Sequence, residues 1–157
     1  MSVQYFLDTA SIKDIRKWYD LGLVNGVTTN PVLLTQNSIS DVSDFIYTLN
    51  KIDVFPVSIP LLQSLPEKMI EEGMRLSSIA ENVVIKIPAT EYGYCVAREL
   101  IKEKIKCNIT FVFDPATAIP FLNIEPEYLS VIIDRNEDFG AAPLDDKESP
   151  LTIVDLP

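Results

Sequence analysis

The sequence has no histidine at all among its 157 residues. This absence excludes Ser-His-Asp and Cys-His nucleophile systems, HExxH zinc sites and acid–base catalysis by imidazole. It also argues against a zinc-dependent aldol mechanism. Any chemistry must therefore come from lysine, arginine, carboxylate, tyrosine and amide side chains.

Glycine and basic residues are scarce as well. The chain has five glycines and contains neither GxGxxG nor GxxxxGK[ST], so it lacks the loops with which nucleotide-binding sheets hold phosphate. Its 13 basic and 23 acidic residues give a net charge of −10. We therefore expect no binding to nucleic acid, which requires a basic surface. A small anionic substrate is compatible with this charge where a local arginine or lysine focuses the field.

Long apolar runs are also missing. No stretch approaches the ~20 residues of a transmembrane helix, and residues 1–14 have neither the basic nor the apolar region of a secretory signal. The two cysteines, Cys95 and Cys107, are interpreted as free thiols in a reducing compartment. These features predict a cytoplasmic protein that does not interact with membranes.

The sequence does contain a regular alternation of apolar runs and helical patterns. Because the runs are apolar on both faces, they predict a parallel sheet covered by helices. An open doubly wound sheet and a (β/α) barrel both fit this pattern. The predicted strands are residues 4–8, 24–29, 53–60, 82–88, 107–113 and 128–135, and the predicted helices are residues 10–23, 38–51, 64–82, 91–104 and 115–122. The residues predicted to cap the amino-terminal ends of these helices are Ser11, Ser38 or Ser40, Ser64 and Asp114.

The composition changes near residue 135. Residues 1–135 hold all six predicted strands and are interpreted as one partial barrel domain. Residues 136–157 hold six acidic residues, one lysine and three prolines. We interpret this second segment as an acidic loop or extended arm, whose apolar end, LTIVDL, is suited to pairing with a strand edge.

Lys86 stands inside the apolar run VVIKIP, where an ammonium group is costly to bury without a partner or a task. By strand parity, its side chain points into a barrel if the opposite face of the strand packs on helices. Burial lowers the pKa of a lysine, and a neutral amine attacks a carbonyl to give an iminium that permits C–C cleavage. The alternative is an edge position from which the side chain extends to solvent.

Other polar residues lie near the carboxyl ends of the predicted strands, where the active sites of parallel barrels form. Asp8 is the carboxylate available to move protons, and amides such as Asn30 and Asn108 are suited to holding substrate hydroxyls. Taken singly, a strand-end Asp or Asn is more often a cap or turn residue. The set is Asp8, Thr28, Thr29, Asn30, Lys86, Asn108, Thr110 and Arg135.

Five segments in this order resemble the transaldolase family, especially its short bacterial and phage-like members and the fructose-6-phosphate aldolases. They are LDTA (7–10), GVTTNP (26–31), VVIKIPAT (83–90), CNITFVF (107–113) and residues 130–135. The resemblance runs from about residue 4 to residue 140. It implies a barrel enzyme of TIM type that transfers or releases a dihydroxyacetone unit from a ketose phosphate such as fructose 6-phosphate, without a metal or other cofactor.

The resemblance also implies roles for the residues that match the family's motifs. Lys86 matches the Schiff-base lysine, and Asp8 matches the acid/base carboxylate. Arg135 matches the phosphate-binding arginine. The other implied substrate contacts are Thr29, Asn30, Asn108, Thr110 and Ser130.

Three features depart from the family pattern. The family carries Gln or Glu on strand three to position the catalytic water, and FPVSIP places Val57 at the expected position, with Ser58 next to it. Ile132 stands where the family has Phe or Tyr. About six βα units of eight are recognised, so we expect an incomplete barrel with unpaired strand edges. We consider three outcomes for these edges. The acidic arm covers one of them, the subunits of a homo-oligomer cover them, or they stay open and the chain has low stability.

Two functions of different classes follow. The first is a class I transaldolase or fructose-6-phosphate aldolase that acts on a sugar phosphate through Lys86. The second is a catalytically weakened binding or assembly protein that acts through oligomerisation. A regulator that keeps Arg135 and binds phosphosugars without turnover is a further alternative. The intact set of lysine, carboxylate and amides favours the enzyme.

Overall fold

The computed structural model describes residues 3–54 and 56–132, whose six strands form one parallel sheet in the order β1-β2-β3-β4-β5-β6. A doubly wound sheet would reverse its strand order at a switch point. The unreversed order instead gives an incomplete (β/α) barrel of TIM type. The strands are β1 (Phe6–Asp8), β2 (Gly26–Thr28), β3 (Val57–Pro60), β4 (Val83–Pro88), β5 (Cys107–Val112) and β6 (Tyr128–Val131).

Helices alternate with these strands, as the sequence predicts, but one was missed. The helices of the described residues are α1 (Ile12–Asp20), α2 (Pro31–Gln36), α3 (Val42–Lys51), α4 (Pro66–Ser77), α5 (Glu91–Lys102) and α6 (Pro115–Leu122). The Asn30-Pro31 pair begins α2, because the Asn30 Oδ1 atom accepts a hydrogen bond of 2.9 Å from the Leu33 amide. Proline in the first helical turn needs no N–H partner. None of these helices is both long enough and apolar enough to cross a membrane.

The helix caps follow local chemistry, with two differences from expectation. Ser11 caps α1 and Asp114 caps α6, as predicted. Asp41 caps α3 in place of the expected Ser38 or Ser40, since its carboxylate accepts from two amides of the first turn and complements the helix dipole. The predicted cap of α4, Ser64, is also wrong, because Leu65 takes the cap position without a side-chain hydrogen bond.

Alternate residues of the strands divide between two environments. Val83, Ile85 and Ile87 of β4 belong to the main core, which packs the sheet against the helices. By parity, Lys86 lies on the opposite face, which lines the interior of the curled sheet. Prediction and structure therefore agree on the direction of this lysine.

An apolar layer fills the interior of the curled sheet at the amino-terminal ends of the strands. The rings of Phe6 on β1 and Tyr128 on β6 meet edge to face at 5.3 Å, and both pack with Val84. The two end strands of the described sheet, β1 and β6, therefore approach each other across the interior, which shows how strongly this sheet curls. Gly26 makes room for this layer, since a Cβ atom there would lie 2.6 Å from the Phe6 ring.

Some sequence predictions fall outside the described residues. Arg135, the acidic arm at 136–157 and the end of predicted strand six are among them. The division between residues 1–135 and 136–157 consequently stays a prediction.

Candidate active site

Lys86 extends from β4 towards β2, passing over β3. Its Nζ atom donates a hydrogen bond of 3.1 Å to the backbone carbonyl oxygen of Thr29. Burial lowers the pKa of the Lys86 ammonium group, and the negative charge of Asp8 opposes part of that lowering. The site thus holds an amine that gives up its proton more readily than an exposed lysine and faces a carboxylate.

Asp8 ends β1, in register with Thr28 of the neighbouring strand. The Thr28 hydroxyl donates a hydrogen bond of 2.6 Å to the Asp8 Oδ1 atom, and the Thr28 side chain is buried. A short hydrogen bond to a charged acceptor fixes the orientation of the carboxylate. The sequence marked Thr28 as a strand-end residue but gave it no role, because only the β1–β2 register brings the two side chains together.

Asn108 lies beside Lys86 in the register of β4 and β5, and it is fully buried. Its Nδ2 atom donates to the Ser58 Oγ atom at 2.9 Å, while the Ser130 hydroxyl donates to its Oδ1 atom at 2.7 Å. These hydrogen bonds form a buried belt of Ser58, Asn108 and Ser130, which joins β3, β5 and β6 across the interior. Each end of the amide keeps one further hydrogen-bonding position for a substrate hydroxyl. Ser58 was not among the predicted site residues.

Thr29 and Asn30 follow β2 and lie beside the lysine. Thr29 is fully buried, and within the described part of the chain its Oγ1 atom has no hydrogen-bond partner. Asn30 uses its Oδ1 atom to cap α2, which leaves the hydrogens of its Nδ2 atom to donate. An unpaired buried hydroxyl is costly, so a ligand hydroxyl or a water would be well accommodated next to Lys86.

Thr110 and Ser130 complete the described part of the predicted set. Thr110 is buried and pairs with Pro88, two residues beyond Lys86 towards the carboxyl ends of the strands. Ser130 reaches the site through Asn108. Arg135, the expected phosphate ligand, lies outside the described residues.

The position expected for the family's Gln or Glu on strand three was wrong. Val57 pairs with Val83 and packs in the core against the helices, so its side chain cannot reach the site. Pro60 is the β3 residue in register with Lys86. A proline there supplies no polar group next to the amine.

The described residues offer no metal centre and no reactive thiol within the site. No three Cys, Asp or Glu side chains of residues 3–54 and 56–132 converge to hold a metal ion. Both cysteines are free, with Cys95 exposed on α5. Burial raises the pKa of the Cys107 thiol to about 12, so this thiol stays protonated and unreactive.

Comparison with known proteins supports the resemblance seen in the sequence. A family model described as Transaldolase/Fructose-6-phosphate aldolase matches residues 5–154. A probable transaldolase of Thermoplasma volcanium is 36% identical over 140 residues, which cover 88% of this chain and 63% of the relative. A probable transaldolase of Syntrophobacter fumaroxidans is 37% identical, over 88% of this chain and 64% of its own length. A probable transaldolase of Thermoplasma acidophilum is 34% identical, over 98% of this chain and 67% of its own length. The chain thus spans roughly two thirds of the length of these curated relatives.

Proposed function

Because the chain belongs to the transaldolase/fructose-6-phosphate aldolase family, we propose that it is a Schiff-base enzyme that transfers or releases a dihydroxyacetone unit from a ketose phosphate such as fructose 6-phosphate. The observation that carries the proposal is the buried amine of Lys86, whose pKa is lowered while Asp8 faces it from β1. A lysine of this kind is suited to forming a Schiff base with a carbonyl substrate.

The proposed reaction begins with attack of the neutral Lys86 amine on the C2 carbonyl of the ketose. Loss of water gives an iminium on the lysine. Asp8 removes the proton of the C4 hydroxyl, the C3–C4 bond breaks, an aldehyde leaves, and the bonding electrons pass to the iminium to give an enamine. The enamine then either attacks an acceptor aldehyde or is protonated at carbon, and each path gives an iminium on Lys86. Water hydrolyses this iminium, which releases the new ketose or dihydroxyacetone and restores the free amine. Asp8 returns the proton in each case.

The remaining groups would hold the substrate. The free hydrogen-bonding positions of Asn108, the unpaired Thr29 hydroxyl and the Asn30 amide suit the hydroxyls of the dihydroxyacetone unit. Thr110 and Ser130 contact the substrate nearer the mouth, and Arg135 binds its phosphate. We further propose a homo-oligomer in the cytoplasm, in which association covers β1 and β6, the end strands of the described sheet.

The test is to trap the iminium with borohydride in the presence of fructose 6-phosphate. The wild-type protein is expected to gain the mass of the reduced sugar adduct, located by peptide mapping at Lys86. Lys86→Met abolishes the adduct, whereas Lys102→Met, which removes an exposed lysine of α5, retains it. If folded wild-type protein forms no adduct, the proposed function is wrong.

A binding or assembly role is the second candidate, and the proline in register with the lysine favours it, since Pro60 offers no group to relay protons. On this alternative, Lys86→Met leaves the oligomeric mass and the biological role unchanged. Measurement of the mass in solution for wild-type and Lys86→Met proteins, combined with the trapping test on the same species, separates the two functions.

A further inference from the structure

The carboxyl-terminal half of β5 contains a β-bulge. Ile109 pairs with Leu129 and Val112 pairs with Val131, so Thr110 and Phe111 together oppose the single residue Ser130. Phe111 has a φ of 60°, which is in the left-handed region that side chains other than glycine rarely adopt. The extra residue of this bulge is therefore an aromatic side chain on a strained backbone.

The bulge changes which residue enters the core. Regular alternation would place Phe111 on the face of Cys107 and Ile109, which pack against the helices. Val112 belongs to that core instead, while Phe111 is 51% exposed. The Phe111 ring stacks on Phe113, with ring centroids 6.3 Å apart and planes at 27°.

This arrangement is unfavourable for folding in two ways. A left-handed phenylalanine carries backbone strain, and an exposed ring forgoes the burial that the regular strand would give it. Bulges next to active sites re-aim side chains, and strained backbone conformations cluster at active sites and ligand clamps. The place of the bulge agrees with this reading, since its other two members, Thr110 and Ser130, are proposed substrate contacts.

We propose that Phe111 is a specificity-determining residue whose ring, backed by Phe113, packs against the carbon chain of the aldehyde that leaves or accepts the dihydroxyacetone unit. This inference rests on the proposed function. Lys86 is level with Asn108, and Phe111 lies three residues further along β5. At ~3.3 Å per residue this is up to about 10 Å towards the mouth. The three carbons attached to Lys86 lie below that level, so the part of the substrate proposed to meet the ring is the aldehyde.

The test compares Phe111→Leu and Phe111→Gly with the wild-type protein. Tyr47→Leu serves as the matched control, because Tyr47 is an aromatic residue with the same exposure, 50%, on α3. Three quantities are measured for each variant: the borohydride adduct formed with fructose 6-phosphate, the KM for glyceraldehyde 3-phosphate as acceptor, and the Tm. Glycine adopts positive φ without strain, so Phe111→Gly separates the role of the ring from the role of the backbone.

Both Phe111 variants are expected to form the adduct at Lys86, while the KM for the aldehyde rises on the order of tenfold. Phe111→Gly is expected to match or exceed the Tm of the wild type, and Tyr47→Leu to leave the KM unchanged. An unchanged KM in Phe111→Leu and Phe111→Gly, with adduct still formed, overturns this inference and leaves the proposed function standing. A wild-type protein that forms no adduct overturns both.

Discussion

The Thr28 hydroxyl donates a hydrogen bond of 2.6 Å to the Asp8 carboxylate across the β1–β2 pair. If Asp8 moves the proton of the substrate, this contact sets its direction, and Thr28 is a positioning residue. We expect Thr28→Val to lower kcat on the order of 10–100-fold with little change in KM, because a misdirected base costs rate more than binding. Thr28→Ser keeps the hydroxyl and should restore most of the rate. Steady-state kinetics of the three proteins decides: equal loss in the Ser and Val variants would mean that packing, not the hydrogen bond, matters.

Lys86 should make the stability of the protein depend on alkaline pH. Its pKa is lower in the folded protein than the ~10.4 of an exposed lysine. Between these two values the unfolded chain binds a proton that the folded chain has released, so stability rises with pH across that window. Below the window, folding must bury the charged amine, at a cost of about 1.4 kcal/mol for each pKa unit of lowering.

Lys86→Met removes that cost. We expect this variant to be more stable than the wild type at neutral pH, with a difference in unfolding free energy that shrinks as the pH approaches 10. Urea unfolding of both proteins between pH 7 and 10 measures this difference. Lys102→Met, at an exposed ion pair with Glu99, serves as the control and should show no comparable trend. A Lys86→Met advantage that is constant or grows with pH would contradict the lowered pKa.

The buried belt through Asn108 should be important for stability. Ser58→Ala removes the acceptor of the Asn108 Nδ2 hydrogen bond and leaves a buried donor unpaired, which costs ~1–3 kcal/mol. Ser43→Ala is the matched control, since the Ser43 hydroxyl accepts an exposed hydrogen bond from Arg75; we expect a loss within about 0.5 kcal/mol there. Urea unfolding compares the two variants, and equal losses would show that the belt contributes no more than a surface contact.

Pro60 should limit the rate of the proposed enzyme. It is the β3 residue in register with Lys86, and the resemblance implies a Gln or Glu on this strand, which was expected at the position of Val57. We expect Pro60→Gln or Pro60→Glu to raise kcat by on the order of tenfold or more, because a positioned polar group relays protons to and from the iminium. Pro60→Leu controls for loss of the proline ring itself. Should the Leu variant gain as much as the Gln variant, relief of the proline backbone would be the cause.

Features encoded over a few neighbouring residues were predictable. The apolar runs gave the parallel strands, strand parity gave the direction of Lys86, and the Ser11 and Asp114 caps follow from side chains that reach amides three residues away. Even local signals failed where two capping groups competed, as at Ser40 and Asp41.

The period of each element and the identity of the amine can be read from the sequence alone, because both are properties of short stretches of chain. The order of the strands, the level of Pro60 beside Lys86 and the hydrogen bond from Thr28 to Asp8 become visible only in the folded chain. These facts depend on the register between strands that are 20 or more residues apart along the chain. Register is fixed by packing of whole strand faces, so no single stretch of sequence contains it.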